Sequence, residues 1–285
     1  MESALNPLMA PPWIFPEAEP CTLENPSEGY ASEFKQWFKA LNETEAASFK
    51  KMFPQPAPWP SFYDGPHGLP MDMRGVAQWT PGGEAKYTRQ ALVNTLGGRE
   101  LADITCFWKP QPKVNSSCLG QWQPSIFKVN GRVYTCAEQY MMAEKARIFE
   151  DEEMLAKIMA SKSPKNMKAL GRKVKSYDDA VWDKVKHSVA LNGNWLKFTQ
   201  NEKMKEYLLK TGDSVLIEAS PFDKIWGVGM SEMDPLIKNP ALWNGCNLLG
   251  FALMEVRDEL MKVFKNCGRL PATINCEASE RSEKP

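Results

Sequence analysis

Apolar residues change their rhythm about a third of the way along this chain. Phe34, Trp37, Phe38 and Leu41 recur at helical spacing, and Phe49, Met52 and Phe53 continue the face after a break, until Pro54, Pro56, Pro58 and Pro60 stop it. From about Asp103 shorter runs take over. Residues 104–108 read as a strand. Residues 125–129 and 132–134 flank Asn130-Gly131, a pair that accepts the positive φ of a type I′ turn, so a hairpin is expected there. Helical spacing returns over 135–149 and 152–159. It recurs from Ser163-Pro164 to near Lys175, then over 178–191 and over 202–209, with Thr211-Gly212 as a C-terminal stop. Residues 215–218 form a short strand, and 247–264 a helix apolar nearly all round at its start, hence buried. Short strands among several helices, with no βαβ rhythm, predict an α+β fold. The expected organisation is a single compact domain over 99–265, several helices around a small β-sheet. An extension precedes it over 1–98: a Pro-, Glu- and Ser-rich arm to residue 30, a helix, then a Pro-rich aromatic segment. A flexible polar tail over 266–285 follows.

Composition narrows the function classes. Lys+Arg 35 against Asp+Glu 35 leaves no net charge, which argues against a protein that coats nucleic acid by bulk electrostatics but leaves room for a local basic pocket. The start of the chain lacks a basic segment followed by an apolar run, and no stretch approaches the apolar length of a membrane span. Seven scattered cysteines without a C-x-x-C pair fit reduced thiols, hence a cytoplasmic or nuclear setting. With only His67 and His187, histidine triads and histidine-rich metal sites have no support, and neither metal nor cofactor is expected.

Four stretches carry candidate chemistry, each with a bland reading beside it. Thr135 with Glu138 three residues on has capping-box spacing, yet Glu138 shares a helical stripe with Met142, Lys145 and Phe149. It is either a cap or an acid in a pocket wall. Residues 219–229 place Asp223, Trp226, Gly227 and Gly229 after a strand. They form a tight loop with a core tryptophan, or a place where backbone approaches a ligand. Trp182 is a core residue or a stacking surface for a nucleobase. Asn247 is an N-cap, or it opens a helix whose amides hold an anion.

As a set these stretches match something. Residues 129–146 around Glu138 and Lys145, Gly171-Arg172, Trp182-Asp183, residues 197–201, residues 218–229 and Gly245-Cys246-Asn247 through Gly250 follow in order. This resembles the NADAR superfamily, the YbiA-like N-glycosidases linked to NAD and ADP-ribose metabolism, over about residues 104–262. One departure is Gly120-Gln121-Trp122, where relatives commonly read Ser-Asn-Trp/Phe. The resemblance implies a compact α+β domain that hydrolyses a ribose–base bond. Glu138, Asp223 and Trp182 would be catalytic, and Trp122, Lys145, Arg172, Trp226, Gly227, Gly229 and Asn247 would hold substrate.

Such a reaction builds positive charge on the sugar and negative charge on the departing base, so it needs a carboxylate near C1′, a proton for the base and a positioned water. Glu138 would handle the proton or the water, and Asp223 would steady the sugar cation. Trp182 would stack on the base, while Lys145 and Arg172 would meet phosphates. The expected partner is ADP-ribosylated guanine in nucleic acid. A phosphorylated ribosylamino-pyrimidine intermediate of riboflavin synthesis is the alternative substrate. A module that binds ADP-ribose or NAD without cleaving it, and a scaffold built on residues 1–98, are the non-catalytic alternatives.

Overall fold

The computed structural model describes residues 12–14, 30–59, 63 and 74–265. Most of the arm expected over 1–30, most of the Pro-rich aromatic segment beyond Trp59 and all of the tail expected from 266 lie outside the described residues. The chain gathers into two compact units, one of Met1–Pro70 with Glu259–Pro285 and one of Met71–Asp258.

The smaller unit holds α1 (Tyr30–Lys39) and α2 (Glu43–Met52). Asn42 caps α2 in a reciprocal box with Glu45, which accounts for the break in the helical pattern. The apolar positions read as one face do converge: Phe34, Phe38, Phe49 and Phe53 are buried, and the Phe49 and Phe53 rings lie 5.0 Å apart.

In the larger unit stand α3 (Arg89–Leu96), β1 (Ile104–Phe107), the hairpin β2 (Phe127–Val129) and β3 (Arg132–Tyr134), and α4 (Ala137–Ile148). After these come α5 (Glu152–Ala160), α6 (Pro164–Gly171), α7 (Asp179–Thr199), α8 (Glu202–Lys210), β4 (Val215–Glu218) and α9 (Leu248–Phe264), whose residues from Glu259 on fall in the smaller unit. This is the expected α+β architecture, with two differences in its sheet and its edge. Among the described residues the strands form two separate ladders: β2 pairs β3 antiparallel, whereas β1 pairs β4 in parallel, with Phe107 opposite Glu218. The compact units also divide at Pro70 rather than at residue 98. Residues 74–98 are tethered to the larger unit by polar contacts that leave no apolar rhythm. The Arg89 guanidinium donates to the Pro240 and Ala241 carbonyls at 2.8 and 2.9 Å, and Trp79 Nε1 donates to Asn192 at 2.9 Å. For the same reason α3, none of whose residues is buried, escaped the pattern reading.

Two helix ends also shift. α7 runs through Asn192-Gly193-Asn194 instead of stopping near Leu191, because the Tyr140 ring packs directly against Gly193, where a Cβ would come within 2.6 Å of it. α6 ends at Gly171 rather than near Lys175, whose amide is taken by Asp151 Oδ2 at 2.8 Å. Among the described residues, no helix is long and apolar enough to cross a membrane.

α9 lies hard against β4. A Cβ on Gly250 would sit 2.1 Å from the Leu216 carbonyl oxygen, and this neighbour is backbone that cannot rotate away. Gly250→Ala is therefore expected to cost about 3 kcal/mol, measured as a lower urea midpoint at unchanged slope. An unchanged midpoint would show that α9 can lift off the strand at no cost.

Candidate active site

Helix α4 opens differently from the spacing expectation. Its N-cap is Cys136, which makes no side-chain cap, and Gln139 rather than Glu138 reaches back. Gln139 Oε1 accepts from the Thr135 amide at 2.8 Å and from its hydroxyl at 3.0 Å. The one-residue shift releases the Glu138 side chain from capping. Its carboxylate turns inward, where Oε2 accepts from Trp122 Nε1 at 3.2 Å while the buried Oε1 has no partner. The backbone of 120–122 is held in register for this contact. The Glu138 amide donates to Gln121 O at 3.0 Å, and the fully buried Lys197 donates to Gly120 O at 2.9 Å. Burial lowers the Lys197 amine to about 8. Gln121, one residue of the departing pair, is buried with its own Oε1 unpartnered.

The second half of the site hangs from the carboxyl ends of β1 and β4. Asp223 Oδ1 accepts from the amides of Ile225 and Trp226 at 3.1 and 2.9 Å, and Oδ2 accepts from Lys168 Nζ at 2.9 Å. Lys168 comes from α6, which can approach α4 this closely because residue 171 is glycine. A Cβ there would lie 2.1 Å from Met142 Sδ. Glu218, the last residue of β4, completes the cluster. The residue keeps some exposed surface, but its Oε2 is sealed from solvent and has no partner.

The three carboxyls are driven apart electrostatically. Burial pushes Glu138 up to about 7, against the pull of Lys168, the Trp122 hydrogen bond and Arg172, with Asp223 adding to the rise. Glu218 is pushed up to about 8 by burial and by the negative charge of Asp223, Lys168 opposing. Asp223 behaves in the opposite way. Burial works to raise it, but Lys168 and the two amide donors outweigh that and hold it below the usual carboxylate range. One carboxylate held ionised beside two that titrate near neutrality is the separation that acid–base catalysis uses. Among the described residues, no group of three or more His, Cys, Asp and Glu side chains could hold a metal ion.

A cationic and aromatic cluster adjoins. Arg172 is close enough to act on both Glu138 and Lys145. Lys145 Nζ lies 3.7 Å from the Tyr177 ring centre and 5.4 Å from that of Trp182. Burial, with Arg172 adding and Asp179 opposing, lowers the Lys145 amine.

The structure thus gathers Glu138, Asp223 and Trp122 into one centre and sets Arg172, Lys145 and Trp182 beside it. The other expected residues make contacts within the protein. Asn247 does not face a ligand: it is fully buried, with Nδ2 donating to Leu216 O at 2.8 Å and Oδ1 accepting from Glu218 N at 3.0 Å. Nor are the amides at the start of α9 free for an anion. Those of Cys246, Asn247, Leu248 and Leu249 go to the carbonyls of Lys224, Gly227, Ile225 and Trp226. Gly227 is small because its own backbone crowds it, with a Cβ 2.7 Å from Glu218 O and 2.9 Å from Asp223 O. Gly229 has φ +66° and packs on Asn244. Trp226 contributes backbone, its amide to Asp223 and its carbonyl to Leu249. These residues build the shelf that aims Asp223. Glu218 and Lys168 escaped the sequence reading. The one signal for Glu218 was a carboxylate closing an otherwise apolar strand, and Lys168 looked like any lysine on an amphipathic helix.

The fold and this centre, a buried carboxylate cluster served by lysine and arginine, define a hydrolytic type of site. The chain belongs to the NADAR domain family, whose model matches residues 106–261. It is 43% identical over 144 residues to N-glycosidase R617 of Acanthamoeba polyphaga mimivirus, an alignment that covers 49% of this chain and 85% of that protein. It is 30% identical over 133 residues to N-glycosidase YbiA of Escherichia coli, covering 47% of this chain and 74% of YbiA. An N-glycosidase of Nostoc punctiforme is 29% identical over 161 residues, covering 56% of this chain and 93% of that one. The NMR structure of Escherichia coli YbiA aligns with a TM-score of 0.45 at 25% identity, covering 57% of this chain and 88% of that one.

Proposed function

We propose that this N-glycosidase, a hydrolase of N-glycosyl compounds, removes ADP-ribose from ADP-ribosylated guanine in nucleic acid. The observation that carries the reading is the unpartnered Oε1 of Glu138, a carboxyl poised at about 7 beside the ionised Asp223, with the cations Arg172 and Lys145 adjoining. A water held by Glu138 loses its proton to that carboxylate and attacks C1′. Asp223, kept ionised by Lys168, faces the positive charge that develops on the ribose. Glu218, protonated at neutral pH, gives its proton to the departing base nitrogen, so hydroxide goes to the sugar and a proton to the base. Arg172 and Lys145 suit a diphosphate, and Tyr177 and Trp182 offer flat faces next to them. A site that only bound ADP-ribose would gain nothing from two buried carboxyls that titrate near pH 7.

The test supplies purified protein with ADP-ribosylated guanine in DNA or RNA, measuring freed ADP-ribose, and separately with a ribosylamino-pyrimidine phosphate, measuring free base and ribose phosphate. ADP-ribose release is expected from the first, with Glu138→Gln slower by roughly 10²- to 10⁴-fold. If wild type releases no more product than Glu138→Gln on either substrate, the reading fails. Release from the pyrimidine alone would assign the small-molecule substrate.

A further inference from the structure

Beside Asp223 the surface carries something the hydrolytic centre does not use. Phe222, one residue before the aspartate, is 86% exposed, and Ile225, two residues after it, is 53% exposed. The Phe222 ring meets Trp108, the residue that follows β1, with ring centres 6.0 Å apart and planes tilted by 45°. Lys109 places its amine 4.4 Å from the Trp108 ring centre, and Lys224 is exposed next to Asp223 in the chain. An isolated exposed phenylalanine would need no explanation, since folded surfaces hold much apolar area. Here two aromatic rings touch, an aliphatic side chain stands close by in the same loop and two lysines flank the set. All of it is fixed to the strand ends that carry Glu218 and Asp223.

We infer that the Trp108–Phe222 pair, flanked by Lys109 and Lys224, is a docking surface for the single-stranded nucleic acid on either side of the nucleotide being hydrolysed. It rests on, and deepens, the nucleic-acid reading above. Bases stack on aromatic faces whatever their sequence, and phosphates between them meet lysines, so alternating rings and amines fit a strand. With equal numbers of acidic and basic residues in the whole chain, attraction for a polyanion has to be local, and this patch is a local cationic site at the centre's edge. A flanking strand stacked there would thread its modified nucleotide toward Asp223, because Phe222 and Asp223 are consecutive.

The test uses the full chain and a fluorescein-labelled, unmodified single-stranded oligonucleotide of about 12 nucleotides, with binding read by anisotropy. Phe222→Ala and Trp108→Ala are expected to weaken binding about tenfold each, whereas Phe222→Trp, which restores a ring, binds like wild type. Lys109→Ala with Lys224→Ala is expected to lower the slope of log affinity against log salt by roughly 0.7 per lysine. Far-ultraviolet circular dichroism of each variant establishes that it is folded. Wild type that binds no strand, or Phe222→Ala that binds as well as wild type, overturns the docking surface. The two readings fail separately. Strand binding lost in Phe222→Ala without any ADP-ribose release by wild type would sink the hydrolysis and leave the surface. ADP-ribose release from an ADP-ribosylated mononucleoside without strand binding would do the reverse.

Discussion

Glu218→Gln is expected to slow ADP-ribose release strongly and at the same time to stabilise the protein at pH 8. The Glu218 carboxyl is pushed up to about 8 from an ordinary 4.5, mainly by burial. The folded protein therefore holds a proton that the unfolded chain gives up between those values. A raised folded-state value means that the folded state binds more protons in that window. Folding stability from this group thus falls as pH rises from about 4.5 through 8. Glutamine is neutral throughout, fills nearly the same space and removes the loss. The gain at pH 8 should be roughly 1–3 kcal/mol, or a melting temperature higher by roughly 3–9 °C, and it should vanish near pH 4.5. Activity moves the other way, since the base loses its proton donor, with a fall of roughly 10²- to 10⁴-fold. Wild type should show a bell-shaped profile. Its acid limb lies near 7, where Glu138 must be ionised, and its alkaline limb near 8, where Glu218 must be protonated. Thermal melts at pH 5 and pH 8 with the pH–rate profile check it. Equal melting temperatures for variant and wild type at pH 8 would mean that Glu218 is solvated and ionised.

The second large effect lies in the Asp223–Lys168 pair. Asp223→Asn leaves the half-buried Lys168 ammonium without its carboxylate at 2.9 Å, a loss of about 2–3 kcal/mol for a partly shielded pair. It also removes the anion that faces the developing sugar cation, so ADP-ribose release should fall at least 10²-fold. Lys168→Met acts on the same pair from the other side. Without the cation, Asp223 keeps its two amide donors but its carboxyl rises toward the ordinary range, while Glu138 loses the pull of Lys168 and rises too, so the acid limb of the pH profile moves up. The double variant Asp223→Asn/Lys168→Met should recover part of the stability lost in Asp223→Asn alone, because no charge is left stranded. A urea-denaturation cycle of the four proteins reads the coupling directly. Strict additivity would show that the two side chains do not interact in solution.

Particular residues show how far reading along the chain could go. Glu138 stood out as a carboxylate on an apolar stripe, and Asp223 as an acid after a strand. What spacing could not separate was which of Glu138 and Gln139 caps α4, since either lies within reach of the helix start. The one-residue difference decides whether Glu138 is spent on backbone or points into the centre. The glycines were legible as special but not as to why. Gly227, Gly229 and Gly250 make room for the protein's own backbone and side chains. Asn247 similarly binds β4, because a side chain with both a donor and an acceptor can satisfy a strand edge as readily as a substrate.

The amino-acid sequence by itself determined the periodic elements: the aromatic face of α1 and α2, the Asn130-Gly131 hairpin, the helices from α4 to α9 and the α+β class that follows from them. Each of these depends on residues close together in the chain, where spacing equals geometry. Only the tertiary structure decided the parallel pairing of β1 with β4, the docking of residues 74–98 by polar tethers and the meeting of Lys168 with Asp223. It also decided the neighbours that push Glu138 and Glu218 toward neutrality. A carboxyl's proton affinity is set by burial and by charges brought near through folding, and neither is a property of its position in the chain.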